Sequence, residues 1–187
     1  MTQSTMRSVI AKNSKWLTAV IVVSLACVQS PADSDPNLTL PQVGGGTFHL
    51  KAKPGQPLLL AFLQMVPDTL DTPSRSEVVF LSSMSHQYGP RGLEVVVIDA
   101  SALVTGVQPD DASVLNASYD WHLDIPLLTD TQNQMAKRFG VTRIPTLILL
   151  SADGQVAQRW QGTVRPALLA QGIERLLGGP LGQLPRL

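Results

Sequence analysis

The sequence predicts a mixed α/β domain in which a central mixed β-sheet is flanked by helices and followed by a C-terminal hairpin and helix. Apolar strand-like runs alternate with helix-like runs along most of the chain, which is typical of sheets packed between helices. An Asp153-Gly154 turn between two strand-like runs indicates one antiparallel hairpin near the C-terminal end. With 187 residues, the chain is long enough for one such domain with a sizeable core.

The predicted strands are short, apolar and rich in β-branched residues. Residues 58–63 form a continuous apolar run, as expected of a strand buried on both faces, and residues 93–99 are dominated by valine and isoleucine. Residues 126–128 predict a short strand, and residues 146–150 predict another buried one. The second strand of the hairpin is predicted over residues 155–161.

Helical spacing and capping residues predict four helices. They cover residues 78–86, 110–122, 131–139 and about 165–177. The first ends before Gly89-Pro90, and the second begins at a cap formed by Asp110 or Asp111. The third ends at Gly140, and Pro166 suits the first turn of the last helix.

The first 26 residues have the pattern of a secretory signal peptide. They contain Arg7, Lys12 and Lys15 but no acidic residue, and they end in an apolar run over residues 16–26. That run is shorter than the roughly 20 apolar residues of a standard transmembrane helix. We therefore expect export to the bacterial cell envelope, either secreted or periplasmic, or anchored to a membrane by lipid or by an uncleaved signal.

Cys27, the single cysteine of the chain, directly follows the apolar run. Leu25-Ala26-Cys27 resembles the end of a bacterial lipobox, in which the cysteine is lipidated and becomes the mature N-terminus, although Ser24 stands where Leu or Val is usual. Ser24 and Ala26 also suit ordinary signal peptidase, which would leave a free thiol, and an incidental cysteine is a third alternative. Cys27 is therefore a candidate for lipidation, and residues 27–45 are predicted to be a polar tether.

Composition argues against several binding functions. Three of the 14 basic residues and none of the 14 acidic residues lie in residues 1–26, so the remainder has a net charge of −3 and nucleic-acid binding has no support. The histidines His49, His86 and His122 lack ligand spacing, so we expect no metal. Residues 44–46 are three glycines without a following helix and do not predict a phosphate site. We therefore expect no cofactor.

Four motifs occur in order along about 130 residues. They are Asp71–Arg75 with Ser76-Glu77, Arg91–Val96, Pro126–Asp130 with Ala136–Val141, and Ile144-Pro145-Thr146 with the Asp153-Gly154 turn. In this order they resemble a thioredoxin-like domain of the exported redoxin group, which includes TlpA-like thiol-disulfide oxidoreductases and is related to peroxiredoxins. The resemblance places a thioredoxin-like domain over residues 46–178, followed by a tail over residues 179–187.

The redox motif of this group is degenerate here. In a thiol-disulfide oxidoreductase the helix N-terminus carries Cys-x-x-Cys, because it stabilises the attacking thiolate. The resemblance puts Asp71 and Ser74 at those positions, and a carboxylate and a hydroxyl cannot form a disulfide. In this register, residues 64–71 would form an enlarged active-site loop. A second register, with residues 66–69 at the cysteine positions, also contains no cysteine. Ser74 is either a helix cap or, with Asp71 as an acid, a new nucleophile.

Pro145 is the cis-proline position that the resemblance implies. A cis bond before proline costs only about 0.5–1 kcal/mol, whereas other residues pay several times more. The alternative is an ordinary proline at the start of a strand. The backbone beside a cis-proline in this fold offers an extended edge to a bound peptide, and this capacity does not depend on cysteines.

Two classes of function follow. The first is an exported, tethered, non-catalytic module that binds or scaffolds an unknown protein or peptide partner in the cell envelope. The second, implied by family descent, is a thiol-disulfide oxidoreductase or antioxidant protein whose residual activity would rest on Cys27. The missing cysteines favour the first class, because function is located in the site rather than in the fold.

Overall fold

The computed structural model describes residues 39–50, 56–65, 73–107 and 110–179. In chain order its elements are β1 (Thr39–Pro41), β2 (Thr47–His49), β3 (Leu58–Leu63), α1 (Pro73–Tyr88), β4 (Glu94–Asp99), α2 (Ala102–Thr105), α3 (Asp111–Asp120), β5 (Leu127–Thr129), α4 (Gln134–Arg138), β6 (Thr146–Leu150), β7 (Val156–Gln161) and α5 (Pro166–Leu176). A short 3₁₀ turn, Gly89–Arg91, follows α1.

The central sheet has five strands in the order β5-β4-β3-β6-β7, and β1 and β2 form a separate antiparallel pair. Strand β3 pairs parallel with β4 and antiparallel with β6, while β4 pairs parallel with β5 and β6 antiparallel with β7. This arrangement confirms the predicted fold class. The carboxyl ends of β3, β4 and β5 meet at one edge of the sheet, which we call the site edge, because ligands of open α/β sheets bind at such edges.

Both faces of the sheet are covered. Alternate residues of β3 belong to two different hydrophobic clusters, as the period of two in a strand requires. Helices α1 and α5 pack on one face through buried residues Val78, Leu81, Leu169 and Ile173. Helix α4 packs on the other face through Met135 and Phe139. The continuous apolar sequence of β3 follows from this burial on both sides.

Two aspartates begin helices beside the sheet. Asp110, rather than Asp111, is the N-cap of α3 and accepts a hydrogen bond from the Ser113 backbone amide. Asp130 is buried at the end of β5, where its carboxylate oxygens accept hydrogen bonds from the amides of Met135 and Ala136 in α4. The Asp130 carboxylate thereby satisfies amides that a short helix leaves unpaired at its start.

The predicted tether over residues 27–45 is wrong from residue 39 onward. Leu40 and Val43 are buried, and the Val43 amide donates a hydrogen bond to the Leu127 carbonyl at the outer side of β5. The proline and glycines that surround these residues obscure the short strand β1 in the sequence. The folded domain therefore begins before residue 46, and residues 27–38 lie outside the described part of the chain.

Other boundaries differ from the predictions by several residues. Helix α1 begins at Pro73 rather than at residue 78, and α4 is shorter than predicted. Helix α2 has no prediction, because four residues are too few for a periodic signal. Gly179, assigned to the tail, accepts a hydrogen bond from Arg91 through its carbonyl. Within the described ranges, no helix is both long and apolar enough to cross a bilayer.

Candidate functional site

The site edge begins with a buried aspartate at the end of β4. Asp99 is fully buried, and its carboxylate accepts hydrogen bonds from the backbone amides of Met65 and Ser101 and from the Ser101 hydroxyl. Met65 is the second residue after β3. The three donors therefore fix the end of β4 and the chain leaving β3 at one point, immediately before the segment that leads to α1.

Helix α1 starts at this edge. Its first residue is Pro73, which suits the first turn because its missing amide would be unpaired there, and the backbone of Ser74 lies in the same turn. The unpaired amides of the first turn carry partial positive charge. Asp71 lies outside the described residues, as do residues 66–69 and Cys27. The pairing of Asp71 with Ser74, the second register and the lipidation of Cys27 thus stay predictions.

Pro145 lies on the loop that leads into β6, which we call the proline loop (residues 143–146). The Ile144–Pro145 peptide bond is cis. The Thr146 hydroxyl donates a hydrogen bond of 2.7 Å to the Arg143 carbonyl. The Pro145 carbonyl accepts one of 2.8 Å from the Gly162 amide, at the start of the loop between β7 and α5. The proline loop is therefore held both internally and against the β7–α5 loop.

Arg159 holds the end of α4, a few residues before the proline loop. It projects from β7 and donates hydrogen bonds to the carbonyls of Phe139 and Gly140, where α4 ends. These carbonyls are unpaired at the C-terminal end of a helix and carry partial negative charge, which suits a guanidinium group. The arginine thereby fixes the point from which the chain runs to Pro145.

Glu77 is a buried acid beside these loops, in the second turn of α1. The residue is only 6 % exposed. Burial raises the pKa of its carboxyl group from 4.5 to about 7, and the backbone amide of Val164 partly offsets this effect. The Val164 amide does not reach hydrogen-bond geometry. Among the described residues, both carboxyl oxygens of Glu77 therefore lack a partner.

Two contacts connect Glu77 with the proline loop. Its carboxyl group faces Val164 in the β7–α5 loop, and Gly162 of that loop binds the Pro145 carbonyl. The second turn of α1 therefore lies against the β7–α5 loop, and the same loop holds the proline loop. In the sequence, Glu77 stands out only as part of a motif, and its burial is not predicted.

A sequence signal for this burial exists. Glu77, Leu81, Met84 and Tyr88 are all buried, and their spacing follows one face of a helix. The predicted helix started at residue 78, so Glu77 fell outside the periodic run. An acidic residue that continues an apolar stripe is a candidate for a shifted pKa.

His49, His86 and a cavity at the opposite edge of the sheet do not form a second centre. His49 contacts the Thr39 hydroxyl, and His86 pairs with Asp124 at 2.7 Å on the surface. Within the described ranges, no group of three or more His, Cys, Asp or Glu residues could hold a metal ion. A shallow cavity of about 260 Å³ opens at the opposite edge of the sheet, beside Gln56.

Strand order, helices on both faces and a proline loop that leads into β6 together define a thioredoxin-like domain. The family model described as Redoxin matches residues 30–172. The chain belongs to the redoxin family.

Relatives support a TlpA-like group within this family. Thiol-disulfide oxidoreductase ResA of Bacillus thuringiensis is 24% identical over 141 residues, which is 75% of each chain. ResA of Bacillus subtilis is 21% identical over 140 residues, which is 75% of this chain and 72% of ResA.

Two solved structures share the fold. A structure from Chlorobium tepidum, described as a thiol:disulfide interchange protein DsbE, has a TM-score of 0.63 at 24% identity and covers 76% of this chain and 94% of its own. A secreted disulfide oxidoreductase of Mycobacterium tuberculosis has a TM-score of 0.60 at 17% identity, with coverage of 75% and 96%.

Proposed function

We propose that this chain is an exported thioredoxin-like binding module of the cell envelope, which holds an extended peptide segment at the site edge and does not catalyse thiol-disulfide exchange. The observation that carries this proposal is the chemistry of the site. The start of α1 has no cysteine, while the proline loop and its hydrogen bonds are present. A dithiol reaction needs two thiols, and the chain has one, far from this site in sequence.

The proline loop supports peptide binding through its backbone. Neither the amide nor the carbonyl of Ile144 has a hydrogen-bond partner within the described ranges. The adjacent carbonyls of Arg143 and Pro145 are held by Thr146 and Gly162, so the free groups of Ile144 stand on a fixed frame. An extended peptide can pair with such groups in the manner of an added strand.

The purified domain should fail to reduce insulin disulfides in the presence of dithiothreitol, with a rate equal to that of a buffer blank. The variant Asp71→Cys with Ser74→Cys restores two thiols at the start of α1 and should raise the rate clearly above the blank. Thr131→Cys with Gln134→Cys, at exposed positions near α4, is the matched control for thiols with the same spacing. Reduction by the natural chain that persists after Cys27→Ser would contradict the proposal and support an oxidoreductase.

The binding part of the proposal is tested by nuclear magnetic resonance with an array of unstructured ten-residue peptides. Amide shifts should concentrate on Ile144 and its loop and on residues 162–165. The failure of every peptide to bind, or shifts confined to the opposite edge of the sheet, would contradict it.

Tethering is the second part of the proposed function, and it rests on the sequence. A basic start, an apolar run and Cys27 at its end support lipidation, and one structural neighbour is described as secreted. Mass spectrometry of the protein from membranes should show a mature chain that begins at a lipidated Cys27. The Cys27→Ser variant should leave the membrane fraction. An unmodified thiol at Cys27, or a mature chain that begins elsewhere, would contradict this part.

A further inference from the structure

The carboxyl group of Glu77 is enclosed in the domain without a polar partner. Both of its oxygens are closed to solvent, and neither has a hydrogen-bond partner among the described residues. A neutral carboxyl group tolerates such surroundings at a modest cost, whereas a carboxylate pays a far larger desolvation cost. Loss of the proton therefore destabilises the packing around Glu77 and favours a movement that brings water to it.

The β7–α5 loop, residues 162–165, is the part of these surroundings that is least fixed by packing. Of its four residues only Val164 is buried, and its backbone amide faces the carboxyl group of Glu77. Loops with few buried contacts open locally while the rest of a domain stays folded. Withdrawal of Val164 from α1 is therefore the smallest movement that exposes Glu77 to water.

The same loop contains the bond that fixes the proline loop from outside. The Gly162 amide donates a hydrogen bond of 2.8 Å to the Pro145 carbonyl, and Gly162 is only two residues from Val164. The bond from the Thr146 hydroxyl to the Arg143 carbonyl is internal to the proline loop and does not join it to another element. Movement of Val164 away from α1 would therefore weaken the bond between Gly162 and Pro145.

No charged group nearby balances an ionised Glu77. The charged residues at this end of the neighbouring elements are Arg75 on α1, Asp99 at the end of β4, Arg143 on the proline loop, Arg159 on β7 and Arg165 before α5. Within the described ranges, none of them pairs with Glu77, and the side chain of Arg75 lies outside those ranges. Burial raises the pKa of Glu77 to about 7, the Val164 amide partly offsets this, and no charge is among the causes.

We propose that Glu77 is a pH-dependent switch: its protonated form keeps the β7–α5 loop closed against α1, and its ionised form favours an open loop that no longer holds the proline loop. As a regulation of peptide binding, this inference rests on the proposed function, but the movement itself takes place in the free domain. In the open form the carboxyl group meets water and releases its proton more readily. Opening therefore becomes more favourable as the pH rises.

The equilibrium between the closed and open forms should shift about tenfold toward the open form between pH 6 and pH 8. The closed form titrates near 7, and the open form titrates near the ordinary value of 4.5. Below pH 4.5 both forms are neutral, and above pH 8 both are ionised. The equilibrium is therefore independent of pH outside this interval.

Hydrogen exchange of the free domain, followed for each amide by nuclear magnetic resonance at pH 6, 7 and 8, tests the switch. After correction for the intrinsic exchange rate, the protection factor of the Gly162 amide should fall about tenfold from pH 6 to pH 8. The Val43 amide, bonded to the Leu127 carbonyl beside β5, is the internal control and should keep its protection. Low concentrations of urea should leave the exchange of Gly162 unchanged, because only global unfolding exposes a large surface.

Two variants complete the test. Glu77→Gln does not ionise, so its Gly162 amide should have the same protection factor at pH 6 and pH 8. Glu94→Gln, at the opposite edge of the sheet, should keep the tenfold fall. A constant protection factor in the natural chain, an equal fall at Val43, or a loss of protection limited to the amides of α1 would overturn the switch. These outcomes leave peptide binding intact, whereas the failure of the peptide array would refute the proposed function and leave the movement of the loop unaffected.

Discussion

Glu77→Gln should raise the free energy of unfolding at pH 8 by about 2–3 kcal/mol more than it does at pH 5. The carboxyl group of Glu77 is buried without a hydrogen-bond partner among the described residues, and burial raises its pKa to about 7. In the unfolded chain the same group titrates near 4.5. Between these two values the folded state keeps a proton that the unfolded chain releases.

The direction in which stability changes with pH follows from this difference in bound protons. Below pH 4.5 the group is neutral in both states and affects stability little. As the pH rises from 4.5 to 7, ionisation stabilises only the unfolded chain, so the free energy of unfolding falls, and above pH 7 it levels off. Glutamine does not ionise, so the variant lacks this decline.

Urea unfolding at pH 5, 6, 7 and 8 measures the effect directly. The control is Glu94→Gln, which removes a carboxyl group at the opposite edge of the sheet and should follow the profile of the natural chain. Parallel profiles for the natural chain and Glu77→Gln would show that Glu77 ionises normally in the folded state.

Gly172→Val should destabilise the domain by about 2–3 kcal/mol, since overpacking of a filled site costs energy of this order. Gly172 is buried in α5 where the helix lies against β7. A Cβ atom at this position would lie 2.7 Å from Oε1 of Gln158 and 3.0 Å from the indole ring of Trp160. The amide of Gln158 can turn away, but the ring of Trp160 is larger, so valine must shift the helix or the ring.

Thermal or urea unfolding of Gly172→Val measures this cost, and Gln171→Val is its matched control. Gln171 is the preceding, exposed residue of the same helix, so its replacement isolates the effect of a β-branched residue on helix formation, which should stay within about 0.5 kcal/mol. A loss of stability that is equal in both variants would show that close packing at Gly172 is unimportant.

Elements with strong local signals could be predicted from the sequence. The apolar run of β3 and the β6–β7 hairpin around Asp153-Gly154 appear where expected, because burial on both faces and turn chemistry are written into short stretches of chain. Strand β1 could not be predicted in the same way. Its three residues become a strand only by pairing with β2 and packing beside β5, and such distant contacts leave a weak local pattern.

The site likewise contains features that the local sequence predicts and features that depend on contacts between distant residues. The position of Pro145 before a buried strand is readable in the sequence, but the contact of its carbonyl with Gly162 is not, because the two residues are on different elements. The hydrogen bonds from Arg159 to the end of α4 likewise depend on the register of β7 with β6. The burial of Glu77 could not be predicted, because the helical period alone placed the start of α1 five residues too late.

The two outer strands of the sheet are protected in different ways. At β5, residues 42 and 43 already occupy the outer side, through a bridge between Gln42 and Leu128 and the bond from Val43 to Leu127. At β7, a register irregularity opposite Leu149 and the charged side chain of Arg159 interrupt the regular strand edge. These two protected edges therefore oppose the joining of copies into a continuous intermolecular sheet, even at a high local concentration.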